Sequence, residues 1–125
     1  MRERGSAAVE LALVLPLALV AALAVVQVSL VARDLLTVTH GAREGAREAA
    51  VTTDEARVRD AVMDRTGLSA QRTDVLVARG GGAGEPVTVR VRYRAPLIVP
   101  FTRWLFPDEV AVSSSATMRQ ETDDG

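Results

Sequence analysis

The sequence predicts an α+β fold: a long amino-terminal helix, its inner half transmembrane and its outer half amphipathic, with a small three-stranded antiparallel sheet packed on the outer half. Three observations predict it. Leu11 to Ala32 is a run of 22 residues without a charge. Helical periodicity then continues to about Val51, and from Val87 onward the apolar residues recur at every second position. The boundaries expected are 1–5 for a short leader, 6–32 for the membrane helix, 33–51 for its amphipathic extension and 52–125 for a small α+β head.

The uncharged run justifies the first element. At about 1.5 Å per residue, 22 helical residues span roughly 33 Å, close to the ~30 Å hydrocarbon core of a bilayer. Met1 to Gly5 is polar, with Arg2, Glu3 and Arg4. It is short for a secretory n-region, and the apolar run behind it exceeds the roughly 7 to 15 residues of an h-region. Leu30 also stands where a signal peptidase cutting after Ala32 wants a small side chain. Charge does not orient the span, because Arg2 and Arg4 on one side face Arg33, Arg43 and Arg47 on the other.

Two residues set the stretch apart from a plain anchor. Glu10 lies at the upstream edge of the apolar run, where an ionisable group normally has a partner or sits at the headgroup level complementing the helix dipole. Pro16 lies inside the span, where it removes one backbone donor and is expected to kink the helix, either as an ordinary membrane-helix proline or as a feature that lets subunits pack. Upstream, Gly5 is followed by the small residues Ser6, Ala7 and Ala8, so a peptidase can reach the backbone there. A cut after Gly5 makes Glu10 the fifth residue of the mature chain.

A short charged leader ending in Gly, then Glu at the fifth mature position heading an apolar helix, resembles the type IV prepilin processing site. The stretch R-G-S-A-A-V-E-L-A-L-V-L-P is closer still to the TadE-like pseudopilins of the tight-adherence (Flp) pilus system, which also carry a proline hereabouts and a G-A-R-E-G-A-R segment after the span. The resemblance implies a pilin architecture and a structural role as a minor pilin or pseudopilin. Gly5 is then the residue before the cut, Ser6 supplies the new amine, and Glu10 pairs with the amine of an adjacent subunit. The implied partners are a prepilin peptidase, other pilin subunits, the assembly platform in the cytoplasmic membrane and membrane lipid, with the head outside the cytoplasm. Two features depart from the pattern: the leader holds an acid between its arginines, and the head has no Cys, hence no disulfide.

Past the span, Leu35, Val38, Ala42, Gly45 and Ala49 recur at steps of three and four, with Arg33, Thr37, His40, Glu44 and Glu48 as a polar stripe. Gly41-Ala42-Arg43-Glu44 is repeated as Gly45-Ala46-Arg47-Glu48, which sets Gly41, Gly45 and Ala49 on one face. A glycine inside a soluble helix costs about 1 kcal/mol relative to Ala, so close approach of another backbone is the expected compensation, from a strand of the same head or from a neighbouring subunit. Thr52 and Glu55 read as a capping box and Gly67 as a stop, giving a helix near 54–66 with Ala56, Val58, Ala61 and Val62 as its apolar side.

The remainder is β. Asp74 to Arg79 is a short apolar run, and Gly80 to Gly84 a connector without the Lys-Ser/Thr of a phosphate loop. Val87, Val89, Val91 and Tyr93 alternate with Thr88, Arg90, Arg92 and Arg94, one face buried and one wet. The arginine row is a solvated face, or a surface for an anionic partner or neighbouring subunit. Ala95 to Glu109 holds Phe101, Trp104 and Phe106 between Pro96, Pro100 and Pro107, a loop that covers the sheet edge or dips into the membrane interface. Val110, Val112, Ser114, Ala116 and Met118 then alternate as a third strand, and 119–125 is a polar tail.

A net charge of -1 argues against nucleic acid, and the absence of Cys removes thiol catalysis and Cys-based metal sites. Asp54, Glu55, Asp60 and Asp64 lack the loop spacing of a calcium site, and His40 is the only histidine. No nucleophile-base pair or cofactor loop is legible, so no enzyme and no cofactor are expected. The alternative to a pilin is an uncleaved, single-pass binding module that uses the arginine face or the aromatic loop.

Overall fold

The computed structural model describes residues 2–97 and 109–121, and of Arg2 and Glu109 the backbone alone. The fold is α+β. One helix, α1, runs unbroken over Arg2–Val51; its 50 residues correspond to a rod of roughly 75 Å. Pro16 lies inside it without ending it. A second helix, α2 (Glu55–Thr66), folds back along the outer part of α1, and a single 3-10 turn, Ala70–Arg72, leads into the strands β1 (Thr73–Arg79), β2 (Pro86–Pro96) and β3 (Glu109–Arg119). The sheet is an antiparallel meander in the order β1-β2-β3.

Both helices lie on one face of the sheet. That face is the alternating apolar set read from the sequence: Val87, Val89, Val91, Tyr93 and Ala95 on β2 are buried, paired with Met118, Ala116, Ser114, Val112 and Val110 on β3. Val75 and Val77 of β1, opposite Val91 and Val89, complete it. Against it α1 presents Val38, Ala42, Ala46, Ala49 and Ala50, and α2 presents Val58 and Val62. The core is built from Val and Ala, so it is thin. Each fully buried Val contributes about 1.5 kcal/mol or more, and small helix residues let the layers approach closely enough for dispersion contacts to form.

Several local readings need correcting. Leu35 is 44% exposed, because the buried line on α1 runs through Val38, Gly41, Ala42, Gly45, Ala46, Ala49 and Ala50 and leaves Leu35 to one side. On α2 only Val58 and Val62 are buried, and Ala56 is exposed. The cap of α2 is Asp54, whose Oδ1 accepts from the Ala56 amide at 3.0 Å. Thr52 instead accepts from the Asp54 amide at 3.2 Å, since α1 persists to Val51 and leaves Thr52 in the connecting turn. Gly67 does end α2, in the left-handed region at φ 64°, with its amide donating to the Met63 carbonyl. Met118, expected under cover, is 39% exposed and borders an open groove with Arg47, Val51 and Arg119.

The end of α1 is tied to the sheet by hydrogen bonds as well as by the burial of Ala49 and Ala50. Arg79 of β1 donates from Nη1 to the Ala49 carbonyl at 2.8 Å and from Nη2 to the Thr52 carbonyl at 2.7 Å. The Glu121 amide donates to the Ala50 carbonyl at 2.8 Å. The last carbonyls of a helix have no partner within it, and α1 has no basic residue in its last turn, so the cation that complements its negative end comes from a strand.

Candidate membrane and assembly surface

The inner part of α1 has no cover from the rest of the described chain. Every residue from Glu3 to Ala22 is exposed, and the most apolar 18-residue window of the helix is 0% buried, with a mean hydropathy of 2.7. Val14, Leu17 and Val25 are each more than half exposed. In water such a surface would collapse onto something, so length and composition make this helix fit to cross a membrane.

Gly5 and Ser6 sit in the first two turns of this helix, both exposed, and a Cβ added at Gly5 would meet nothing within 4 Å. The first amides of any helix lack internal acceptors, and glycine is a poor helix former, so opening the backbone at this bond costs little. Glu10 is exposed one turn further on. Twenty-two residues, roughly 33 Å of helix, separate it from Ala32, so with Ala32 at one headgroup plane Glu10 lies near the other. Pro16 is exposed between them.

The glycine face lies at the opposite end and is occupied within the monomer. A Cβ at Gly45 would stand 2.6 Å from Val62 Cγ2 of α2 and 2.9 Å from Val89 Cγ1 of β2. At Gly41 it would stand 2.5 Å from Thr66 Cγ2 and 3.4 Å from Val62 Cγ1. Ala49 is fully buried on the same face. Of the two occupants weighed from the sequence, a strand of the same head is there, and it is joined by a helix that the spacing of the glycines does not announce. An ion pair between Arg57 of α2 and Glu48 of α1, at 3.1 Å, adds to this seam. With Arg57 two-thirds exposed it contributes little.

The outer face of the sheet carries Arg90, Arg92 and Arg94, all exposed. Arg94 donates from Nη2 to the Gln71 carbonyl at 2.6 Å, and Thr88 and Thr117 share a hydroxyl hydrogen bond at 2.7 Å. His40 is exposed on α1. Among the described residues no three of His, Cys, Asp and Glu come together as a metal-binding group. Phe101, Trp104, Phe106, Pro100 and Pro107 lie outside the described residues.

Residues 5–47 match the family model described as TadE-like protein. The amino-terminal segment of this chain is TadE-like. The TadE-like segment contains Gly5, Ser6, Glu10, Pro16, Gly41 and Gly45, so it takes in both the exposed rod and most of the face on which the head packs. Ala49, α2 and the sheet lie beyond it. A search of curated proteins and one of solved structures gave no match. The match covers 43 of the 125 residues, about a third of the chain.

Arg79 is the residue that the sequence reading passed over. It ends an apolar run and carries no motif, and its acceptors at Ala49 and Thr52 lie 30 and 27 positions away, so no local signal marks it.

Proposed function

We propose that this chain is a minor pilin or pseudopilin of a tight-adherence (Flp-type) pilus. A prepilin peptidase cuts it between Gly5 and Ser6, α1 holds it in the cytoplasmic membrane with the head on the outer side, and it joins other pilin subunits through the assembly platform. The role is structural and needs no catalytic group or cofactor.

The observation that carries this reading is the division of α1. Its first 22 residues or so have no cover, while its last 14 are wrapped on one side by α2 and the sheet. A rod bare over a bilayer's length suits a subunit that passes from lipid into a bundle of like helices. The same rod carries a carboxylate at its inner end, which costs several kcal/mol in apolar surroundings unless a cation meets it. The amine of Ser6 on a neighbouring subunit is such a cation, and it exists only after cleavage.

The test is the amino terminus. Protein recovered from the membranes of a host with an active prepilin peptidase should lack Met1 to Gly5 and begin at Ser6, as read by terminal sequencing or intact mass. An intact terminus there would remove the pilin reading and leave an uncleaved anchor.

A further inference from the structure

The head does not stand clear of the apolar run. Val31, the last residue but one of that run, packs against the core of the head, and Leu30 beside it is half-buried. The core therefore begins where the span ends. The lower end of the head must lie level with the headgroups.

Strand direction decides which residues occupy that lower end. The far end of α1 is fixed to the far ends of β1 and β3 by the bonds from Arg79 and Glu121. Val89 lies against Gly45, and from there β2 descends toward the span. Six residues of strand from Val89 to Ala95 cover roughly 20 Å. Thirteen residues of helix from Gly45 back to Ala32 cover about as much. Thr73 pairs with Tyr93, so the 3-10 turn before it belongs to the same end. It is held there by Arg72 Nη1 donating to the Arg94 carbonyl at 3.3 Å and by the Arg94 bond to the Gln71 carbonyl.

This rim is rich in arginine. Arg33 leaves the span on α1, Arg72 sits on the turn, and Arg92 and Arg94 stand on the outer face of β2. The acidic residues at this end include Asp34, half-buried on α1, Asp74, which pairs with Arg92 across the strands, and Glu109, whose backbone lies opposite Pro96. Among the described positions at this end the four arginines outnumber these acidic residues, which leaves the described part of the rim positive. We propose that this rim binds the anionic phosphates of the lipid surface, so that the head is seated on the bilayer in one orientation instead of swinging on α1. The proposal rests on α1 crossing a bilayer. Lipid is the occupant because the rim is continuous with the bare surface of the span. Guanidinium also presents forked donors to phosphate, and juxtamembrane arginines are drawn to anionic headgroups over a Debye length.

The chain has no Cys, so one introduced thiol carries one spin label. Ser69 is exposed, makes no side-chain capping bond and adjoins the turn. In the full-length chain, reconstituted in phosphatidylcholine nanodiscs with phosphatidylglycerol as a third of the lipid, a nitroxide at Ser69→Cys should lie within about 8 Å of the phosphate plane. A label at Thr53→Cys, on the far turn, should lie roughly 30 Å out in water, and one at Val20→Cys should lie in hydrocarbon. Replacing all the lipid by phosphatidylcholine, raising the salt, or combining Arg72→Gln, Arg92→Gln and Arg94→Gln should each release the Ser69 label into water. Since the first two treatments leave the chain unaltered, misfolding of the triple variant does not blur the result. A Ser69 label equally placed in both lipids and at high salt would overturn the proposal, as would protection that appears only when protein is crowded, which assigns the rim to a second copy. A Val20 label outside the hydrocarbon would sink the anchor reading and the rim with it, whereas a correct Val20 depth with a solvated Ser69 sinks the rim alone.

Discussion

Glu10 and Gly45 are single residues at the two ends of α1 whose demands differ in kind. Glu10 faces open surroundings and asks for a partner from outside the chain; Glu10→Gln keeps the shape and removes the charge. In the tight-adherence reading the Gln variant still inserts and is still cut, but it fails to support piliation or subunit crosslinks, and normal piliation would show that a dipole-complementing carboxylate is all that Glu10 provides. Gly45 asks for space inside the chain. Gly45→Ala raises helix propensity by about 1 kcal/mol, yet its methyl would sit 2.6 Å from Val62 and 2.9 Å from Val89, both fully buried. Neither short, branched side chain can swing away. Overpacking of this kind costs about 1–3 kcal/mol, so the net expectation is destabilisation by roughly 1 kcal/mol or more. Gly41→Ala should cost less, because its obstacle is Thr66, half-buried near the end of α2, which can turn at the loss of its bonds with the Val62 carbonyl and the Leu68 amide. Thermal melts of the full chain in micelles should rank the variants in that order; a higher melting temperature for Gly45→Ala would mean that the seam opens readily.

Between elements, the decisive contact is the fork of Arg79 onto the end of α1. Charged hydrogen bonds contribute about 1.5–3 kcal/mol each when shielded, and partial exposure of Arg79 reduces this, so Arg79→Met should destabilise the head by roughly 1–3 kcal/mol. Arg79→Lys should recover only part, since a point-like ammonium does not span the Ala49 and Thr52 carbonyls as a planar fork does. Urea unfolding of the two variants tests this, and equal stability of wild type and Arg79→Met would mean that water caps α1 as well as the guanidinium. The same contact shows where sequence reading ran short. Periodicity made α1 and β2 legible because each pattern is local, with every third or fourth residue on the helix and every second on the strand. The hairpin of β1 and β2 followed from the short glycine connector between them, whereas twelve residues separate β2 from β3 and leave no such local signal. Arg79, the lateral seat of α2 and the true cap at Asp54 depend on where distant elements meet, and Thr52 was a reasonable cap only for a helix preceded by a looser turn. Gly41 and Gly45 signalled that something comes close; which element comes close was not written in their spacing.

At the scale of the whole molecule, α1 is one rod that belongs to the span at one end and to the head at the other. That continuity fixes a rotational phase between Glu10 and the faces of the head, because each helical residue turns the axis by about 100°. Inserting residues between Val20 and Ala21 changes the phase without touching any packed contact, since both positions are exposed and lie below Val31. Two added alanines rotate the head by about 200° and lengthen the rod by ~3 Å; four rotate it by about 400°, which is 40° net, and lengthen it by ~6 Å. The longer insertion strains the span more, although tilt absorbs a few ångströms at modest cost. Both variants should therefore insert, be cut and melt like the wild type. If assembly requires Glu10 and the head to engage neighbours together, piliation should be lost with two alanines and partly retained with four, the reverse of what bilayer mismatch alone would give. Equal piliation in both would show that the span and the head find their neighbours independently, and that α1 serves as a tether whose phase carries no information.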